Sequence, residues 1–237
     1  MTHLRRSTSP EWWPVERKGL PWSIKPSPGP HPAYSSIPLA VLLRDVFHYA
    51  RTLKEARLII GKGYVKVDGK VRRDYKYPVG LMDVVELTPI SEYYRIIPDS
   101  INFLKPIRID KAEASVKVCR IEDKTMVKEG RIQLNLHDGR NIIVEQDEGK
   151  KYETLGSVVI NLEDGKLMDY YPMQPNQYVI AFSGINVGKH GTLVNWVKSF
   201  RKRDAIATVK AKEGEFKTIL DYLLVIGKES PVVKVTE

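Results

Sequence analysis

From Tyr93 onward the apolar residues recur with a period of two, and no other feature limits what this chain can become so tightly. Alternating runs at 107–110, 116–121, 131–136, 141–145, 157–160, 178–182, 193–197, 206–209 and, with a break, 216–226 read as short strands. Asp138-Gly139 and Asp164-Gly165 supply hairpin turns between them. Strands at this spacing, with no long helical stretch among them, indicate small antiparallel barrels or sandwiches. Cys119 lies inside the alternating run Val116 to Ile121 and reads as a buried strand residue.

Upstream the period is that of a helix. Ser36 or Ser35 is expected to cap a helix with Pro38 in its first turn, its apolar face formed by Leu39, Leu42, Leu43, Val46, Phe47 and Ala50 and its end near Ala50. Thr52-Leu53-Lys54-Glu55 is a capping box for a second helix that turns Leu53, Ala56, Ile59 and Ile60 inward and stops at Gly61 or Gly63. Lys54 and Arg57 then point outward. Strands at 64–67 and 70–72 join at Asp68-Gly69, a dipeptide suited to the positive φ angles of a tight hairpin, and Val84-Val85-Glu86-Leu87 adds another.

The first 36 residues differ again. Pro10, Pro14, Pro21, Pro26, Pro28, Pro30 and Pro32 exclude a helix and favour extended backbone, which cannot hide Trp12, Trp13 and Trp22 in a core of its own. The segment must lie on something. Two roles fit: the tryptophans pack against the protein's own domain, or the segment is an arm along RNA with Arg5, Arg6, Arg17, Lys18 and Lys25 on phosphates.

Net charge is +9, and its distribution says more than its total. Residues 1–34 carry +3, 37–77 carry +6 and 184–212 carry +6, whereas 108–170 carry −2. Three basic blocks on folded modules are expected if several surfaces touch one extended polyanion while the middle acts as scaffold. The amino terminus lacks the apolar run of a signal peptide, and no stretch of about 18 apolar residues is present to span a bilayer. One cysteine and five scattered histidines give neither a disulfide nor a metal-ligand spacing. A soluble protein of a reducing cytoplasm, with no metal and no cofactor, is expected.

Gly184-Ile185-Asn186-Val187-Gly188-Lys189-His190-Gly191-Thr192 invites comparison with a phosphate-cradling loop, but three rather than four residues separate Gly184 from Gly188 and His190 stands where a Ser or Thr is required. The residues after Thr192 alternate like a strand rather than opening a helix. The glycines therefore suit a tight loop between strands, with Lys189 exposed and a basic rim at Lys198, Arg201, Lys202 and Arg203. No Ser-His-Asp grouping and no paired carboxylates stand out, so no catalytic residue is assigned.

Ile37-Pro38-Leu39, Leu42-Leu43-Arg44-Asp45-Val46 and the run Gly63-Tyr64-Val65-Lys66-Val67-Asp68-Gly69-Lys70-Val71-Arg72-Arg73-Asp74-Tyr75-Lys76-Tyr77-Pro78-Val79-Gly80-Leu81-Met82-Asp83 resemble the small-subunit ribosomal protein S4e family of archaea and eukaryotes. The likeness extends to His3-Leu4-Arg5-Arg6, to 25–32, to Thr218 and to Val225-Ile226-Gly227-Lys228, and the short length looks archaeal. It implies an α+β, mostly β chain: a Pro-rich arm over 1–36, a small helical S4-type RNA-binding domain over 37–105, a central β domain over 106–175, and an SH3-like KOW β-barrel with C-terminal strands over 176–237. It also implies a structural, non-enzymatic constituent of the small ribosomal subunit, in the cytoplasm, whose partners are ribosomal RNA and neighbouring ribosomal proteins, with no membrane and no small-molecule substrate. Under this reading the RNA-binding residues are Arg5, Arg6, Trp12, Lys18, Lys25, Lys54, Arg57, Lys62, Lys66, Lys70, Arg72, Arg73, Tyr75, Lys76, Asn186, Lys189, His190, Lys198, Arg201, Lys202 and Arg203. Tyr75 is expected to stack on an unpaired base. The alternative is an RNA-modifying or regulatory RNA-binding protein outside the ribosome.

Overall fold

A computed structural model of the protein describes residues 3–197, 199, 201–212 and 214–236. The chain divides into two compact units, one of residues 1–96 with 106–114 and one of 97–105 with 115–237. Among the described residues no helix is long and apolar enough to cross a membrane.

In the first unit, β1 (Leu4–Arg5) pairs with β2 (Trp22–Ser23), and β3 (Ile37–Pro38) leads directly into α1 (Leu39–Val41). The sequence placed this helix start at Ser35 or Ser36, and the structure corrects it. Ile37 and Pro38 pair with Val79 and Pro78, so the chain stays extended through Pro38, and Ser36 Oγ is buried without a hydrogen-bond partner rather than capping anything. The end is corrected too. α1 runs into a wider turn over Leu42–Val46, closed by Phe47 N donating to Leu42 O at 2.9 Å, and His48 leaves the helix at φ 57°.

The second helix, α2 (Leu53–Gly61), forms as its capping box requires. Thr52 Oγ1 accepts from Glu55 N at 3.2 Å, and the Glu55 carboxylate accepts from Arg51 N at 2.8 Å. The helix stops because Gly63 takes φ 78°, a conformation glycine adopts without steric penalty. Strand β4 (Val65–Val67) and strand β5 (Lys70–Val71) meet at Asp68 (φ 51°) and Gly69 (φ 74°), the paired positive angles expected of this turn. β6 (Pro78–Val79) and β7 (Val84–Leu87) follow, then β8 (Glu92–Asp99) and β9 (Phe103–Ile109), of which residues 97–99 and 103–105 count with the second unit; the sheet is ordered β5-β4-β7-β8-β9. Leu39, Leu42, Leu43, Ala56, Ile60, Val65, Val67 and Val85 are buried in this unit, each larger aliphatic side chain contributing roughly 1.5–3 kcal/mol.

The second unit holds two five-stranded antiparallel sheets. The first, ordered β12-β11-β10-β13-β14, consists of β10 (Val116–Met126), β11 (Ile132–Leu136), β12 (Asn141–Val144), β13 (Ser157–Asn161) and β14 (Leu167–Tyr171). Cys119 is buried in its core beside Ile121, Leu134 and Val158. The second sheet, ordered β18-β17-β16-β15-β19, consists of β15 (Tyr178–Ala181), β16 (His190–Val197), β17 (Ile206–Ala211), β18 (Gly214–Ile219) and β19 (Leu223–Gly227) around Val179, Leu193, Val209, Leu220 and Val225. The glycine-rich segment 184–191 joins β15 to β16, and Gly191 packs so closely on β17 that a Cβ there would strike the Lys210 carbonyl and come within 2.9 Å of Ala211 Cα. Because those neighbours are backbone, Gly191→Ala is expected to cost about 3 kcal/mol, read as a lowered urea midpoint with unchanged slope.

Six strands went unread in the sequence: the two-residue β1, β2, β3 and β6, and the longer β8 and β14. β8 carries Arg95 buried among Ile96, Ile97 and Pro98, which breaks the alternation, and β14 is an edge strand whose five residues are all partly or fully exposed.

Candidate nucleic-acid interface

α2 and the chain after β5 present one cationic face. Ala56 and Ile60 fix the helix inward, which leaves Lys54 and Arg57 exposed on the opposite side. The Arg57 guanidinium lies 4.0 Å over the Tyr75 ring and donates from Nη2 to Tyr75 Oη at 2.6 Å. Lys76 Nζ is 5.6 Å from the same ring, the Arg72 guanidinium is 4.4 Å over Tyr77, and Lys62 Nζ is 5.8 Å from Tyr64. Lys70 and Arg73 are exposed beside them. Cations held against aromatic faces keep their charge at a defined place without being neutralised by a carboxylate.

The remaining expected residues of this block are used differently. Lys66 Nζ sits 2.9 Å from Glu86 Oε1, cross-strand on β4 and β7. Tyr75 holds Arg57 over its ring, so orienting that guanidinium is its visible role.

The arm belongs to the first unit and is folded onto it. Trp13 is buried and its Nε1 donates to Ser36 O at 3.0 Å, Ser27 N donates to Lys76 O at 2.9 Å, and His31 Nε2 lies 3.0 Å from the buried Asp83. Trp12 is half-buried, edge-on to Trp13, with Nε1 donating to Tyr34 O at 3.3 Å. Arg6 is buried, donating from Nη1 to Glu16 O at 2.7 Å and from Nε to Trp22 O at 3.2 Å, so it works as an internal strut. Arg5, Lys18 and Lys25 are exposed.

In the second unit Lys189 is exposed at the glycine-rich loop, 5.8 Å from the Phe216 ring. Asn186 Nδ2 donates to Lys217 O at 3.1 Å, and the half-buried His190 places Nδ1 3.4 Å from Gly188 O. Arg201 is exposed, and Lys198 lies outside the described residues. Lys202 and Arg203 face carboxylates of the other sheet's segments. Lys202 pairs with Glu153 at 3.1 Å, while Arg203 pairs with Glu122 at 3.2 Å and donates from Nη2 to Glu122 O at 2.5 Å. Arg120, buried on β10, joins the same network by donating to Asp221 O at 2.6 Å. Partners 49 and 81 residues away in sequence leave no trace in a local charge count.

A polar aromatic cluster also went unnoticed in the sequence. Tyr49 Oη and Tyr94 Oη donate to Glu92 Oε2 at 2.5 and 2.8 Å, Arg108 reaches Glu92 Oε1 at 3.2 Å, and Phe47 lies 4.5 Å from the Tyr94 ring. The Tyr49 hydrogen bond, then that of Tyr94, holds the Glu92 carboxyl below its ordinary range. Among the described residues no group of three or more His, Cys, Asp or Glu gathers as metal ligands would.

Comparison with known proteins bears on this face directly. The model of the S4 domain matches residues 39–85, the segment that builds it, while the RS4NT domain matches 2–34 and the Ribosomal family S4e matches 90–167. The small ribosomal subunit protein eS4 of Caldivirga maquilingensis is 89% identical over 237 residues, covering all of both chains. The chain belongs to the ribosomal protein S4e family. Its namesake from Pyrobaculum neutrophilum is 47% identical, again over all of both chains. The crystal structure of the 30S ribosomal protein S4e from Thermoplasma acidophilum superposes with a TM-score of 0.70 at 30% identity, covering 82% of this chain and 96% of that one. Family membership and the observed strands agree on a mostly β, α+β chain that contains an S4 domain.

Proposed function

We propose that this S4e-family protein is a structural, non-enzymatic constituent of the cytoplasmic small ribosomal subunit, held there by ribosomal RNA and by neighbouring ribosomal proteins. The observation that carries the reading is the exposed set Lys54, Arg57, Lys70 and Arg73 on the segment matched by the S4 domain. A-form RNA hides its base edges in a deep groove, so such a set grips phosphates and 2′-hydroxyls and reads shape more than sequence.

Within this reading the arm over 1–36, the S4-type domain over 37–105, the central β domain over 106–175 and a KOW-type barrel over 176–237 are the working divisions. Arg5, Lys18 and Lys25 extend the first contact, and Lys189 and Arg201 form a second one at the glycine-rich loop, both supported by exposure. Arg6, Lys66, Lys202 and Arg203 support the protein's own packing instead, because each is already paired or buried within it.

Titration of the protein against small-subunit RNA at increasing salt tests the reading. If about ten phosphates are neutralised, the log-log slope is roughly −7 to −9. A nearly flat dependence overturns it.

A further inference from the structure

We propose that Trp22, turned outward on the β1–β2 ribbon of the arm, is a stacking platform for an unpaired nucleobase. The inference rests on the RNA-bound reading above and deepens it by naming a residue and a ligand chemistry for the arm.

The three tryptophans of the arm have different fates. Trp13 is 4% exposed and Trp12 is half-buried, but Trp22 keeps 52% of its surface in water. Exposure alone does not single this ring out, since Tyr34 and Ile185 are more open; its setting does. Its backbone is firmly held. The buried Arg6 donates from Nε to Trp22 O at 3.2 Å and from its own N to Pro21 O at 3.0 Å, while Nη1 ties the same strut to Glu16 O. A buried guanidinium thus fixes the base of a side chain whose ring points away from the core.

The surroundings of the ring state what would cover it. Arg5 is the register partner of Trp22, and directly opposed residues of an antiparallel pair place their side chains on one face. The His3 ring lies 5.3 Å away at 47°, and Lys18 and Lys25, close to Trp22 in the sequence, are exposed as well. Aromatic faces interleaved with cations are the chemistry of single-stranded nucleic acid binding, the ring taking a base and the cations the adjoining phosphates. An apolar protein pocket would satisfy the indole, but it leaves the directly opposed Arg5 without a counter-charge. Holding the backbone beneath the ring before binding reduces the ordering that association requires.

The full chain and its Trp22→Ala, Trp22→Phe and Trp12→Ala variants are titrated with small-subunit RNA at several salt concentrations, with thermal melts as a folding control. Trp22→Ala is expected to bind about 5- to 150-fold more weakly with an unchanged salt slope, because stacking releases no counterions. Trp22→Phe keeps part of the affinity but loses the RNA-induced quenching of tryptophan fluorescence, and Trp12→Ala retains that quenching. Steep salt-dependent binding by the parent, with both Trp22→Phe and Trp22→Ala retaining the parent's affinity and the parent's quenching, overturns the stacking assignment alone. Weakened binding of a ribosomal protein by Trp22→Ala, with RNA affinity intact, overturns it in favour of a protein pocket. Absence of RNA binding by the parent chain removes the underlying functional reading as well.

Discussion

Replacing Arg57, Lys70 and Arg73 together by glutamine is expected to weaken binding to small-subunit RNA about 50-fold at 0.15 M salt, with the salt slope shallower by roughly 2 to 3. All three are exposed, and they lie on α2, on β5 and in the chain just after it. Each neutralised phosphate contributes roughly 0.7 to 0.9 to the slope, so three lost contacts account for both effects. Arg72 is left out of the variant because its guanidinium packs 4.4 Å over Tyr77 and its Nε is buried, so its loss would disturb packing as well. Lys66 is left out because it is ion-paired with Glu86. The stacked contact of Arg57 on Tyr75 contributes about 0.5–1 kcal/mol, so the triple variant should melt only slightly lower. An unaltered affinity and slope, measured by the same salt titration, would remove this face from the interface.

The largest expected change in stability lies in the second unit. Asp138→Asn removes the carboxylate 3.1 Å from Lys117 Nζ, a pair whose side chains are 1% and 0% exposed. The same carboxylate accepts from Arg140 N at 3.1 Å, lies 3.3 Å from Arg140 Nε, and is the acceptor for Cys119 Sγ at 3.5 Å. Losing one partner of a buried ion pair costs about 3–5 kcal/mol because the remaining charge stays in a medium that solvates it poorly. Equal urea midpoints for variant and parent at pH 7 would show that the pair contributes little.

Acid titration reads the same pair independently. Burial alone would push the Asp138 carboxyl up, but Lys117, then His137 and Arg140, outweigh it and hold the group at about 2, below the ordinary 3.8. A carboxyl lowered in the folded state stabilises the fold above its unfolded value and loses that contribution as pH falls through the folded value. About 2 kcal/mol of stability should therefore disappear between roughly pH 4 and pH 2, and that step should be missing from the Asp138→Asn curve.

Local chemistry in the sequence determined a good deal of this protein. Alternation located most strands of the second unit, Asp68-Gly69 fixed a turn with two positive φ angles, and Thr52 with Glu55 fixed the start of α2. These features depend on residues a few positions apart, so a linear reading reaches them. The S4-type segment was legible for the same reason, since its motif is contiguous.

Tertiary structure alone decided which charges and rings were left over for a partner. Arg6, Trp13, Lys117 and Arg120 are drawn inside, Lys202 and Arg203 are taken up by Glu153 and Glu122 from distant segments, and Trp22 is turned out. It also moved the first helix, because β3 must stay extended to pair with β6 before α1 can begin. The physical reason is common to all of these: pairing and burial depend on distance in space, and the carboxylate that neutralises a cation can stand anywhere along the chain.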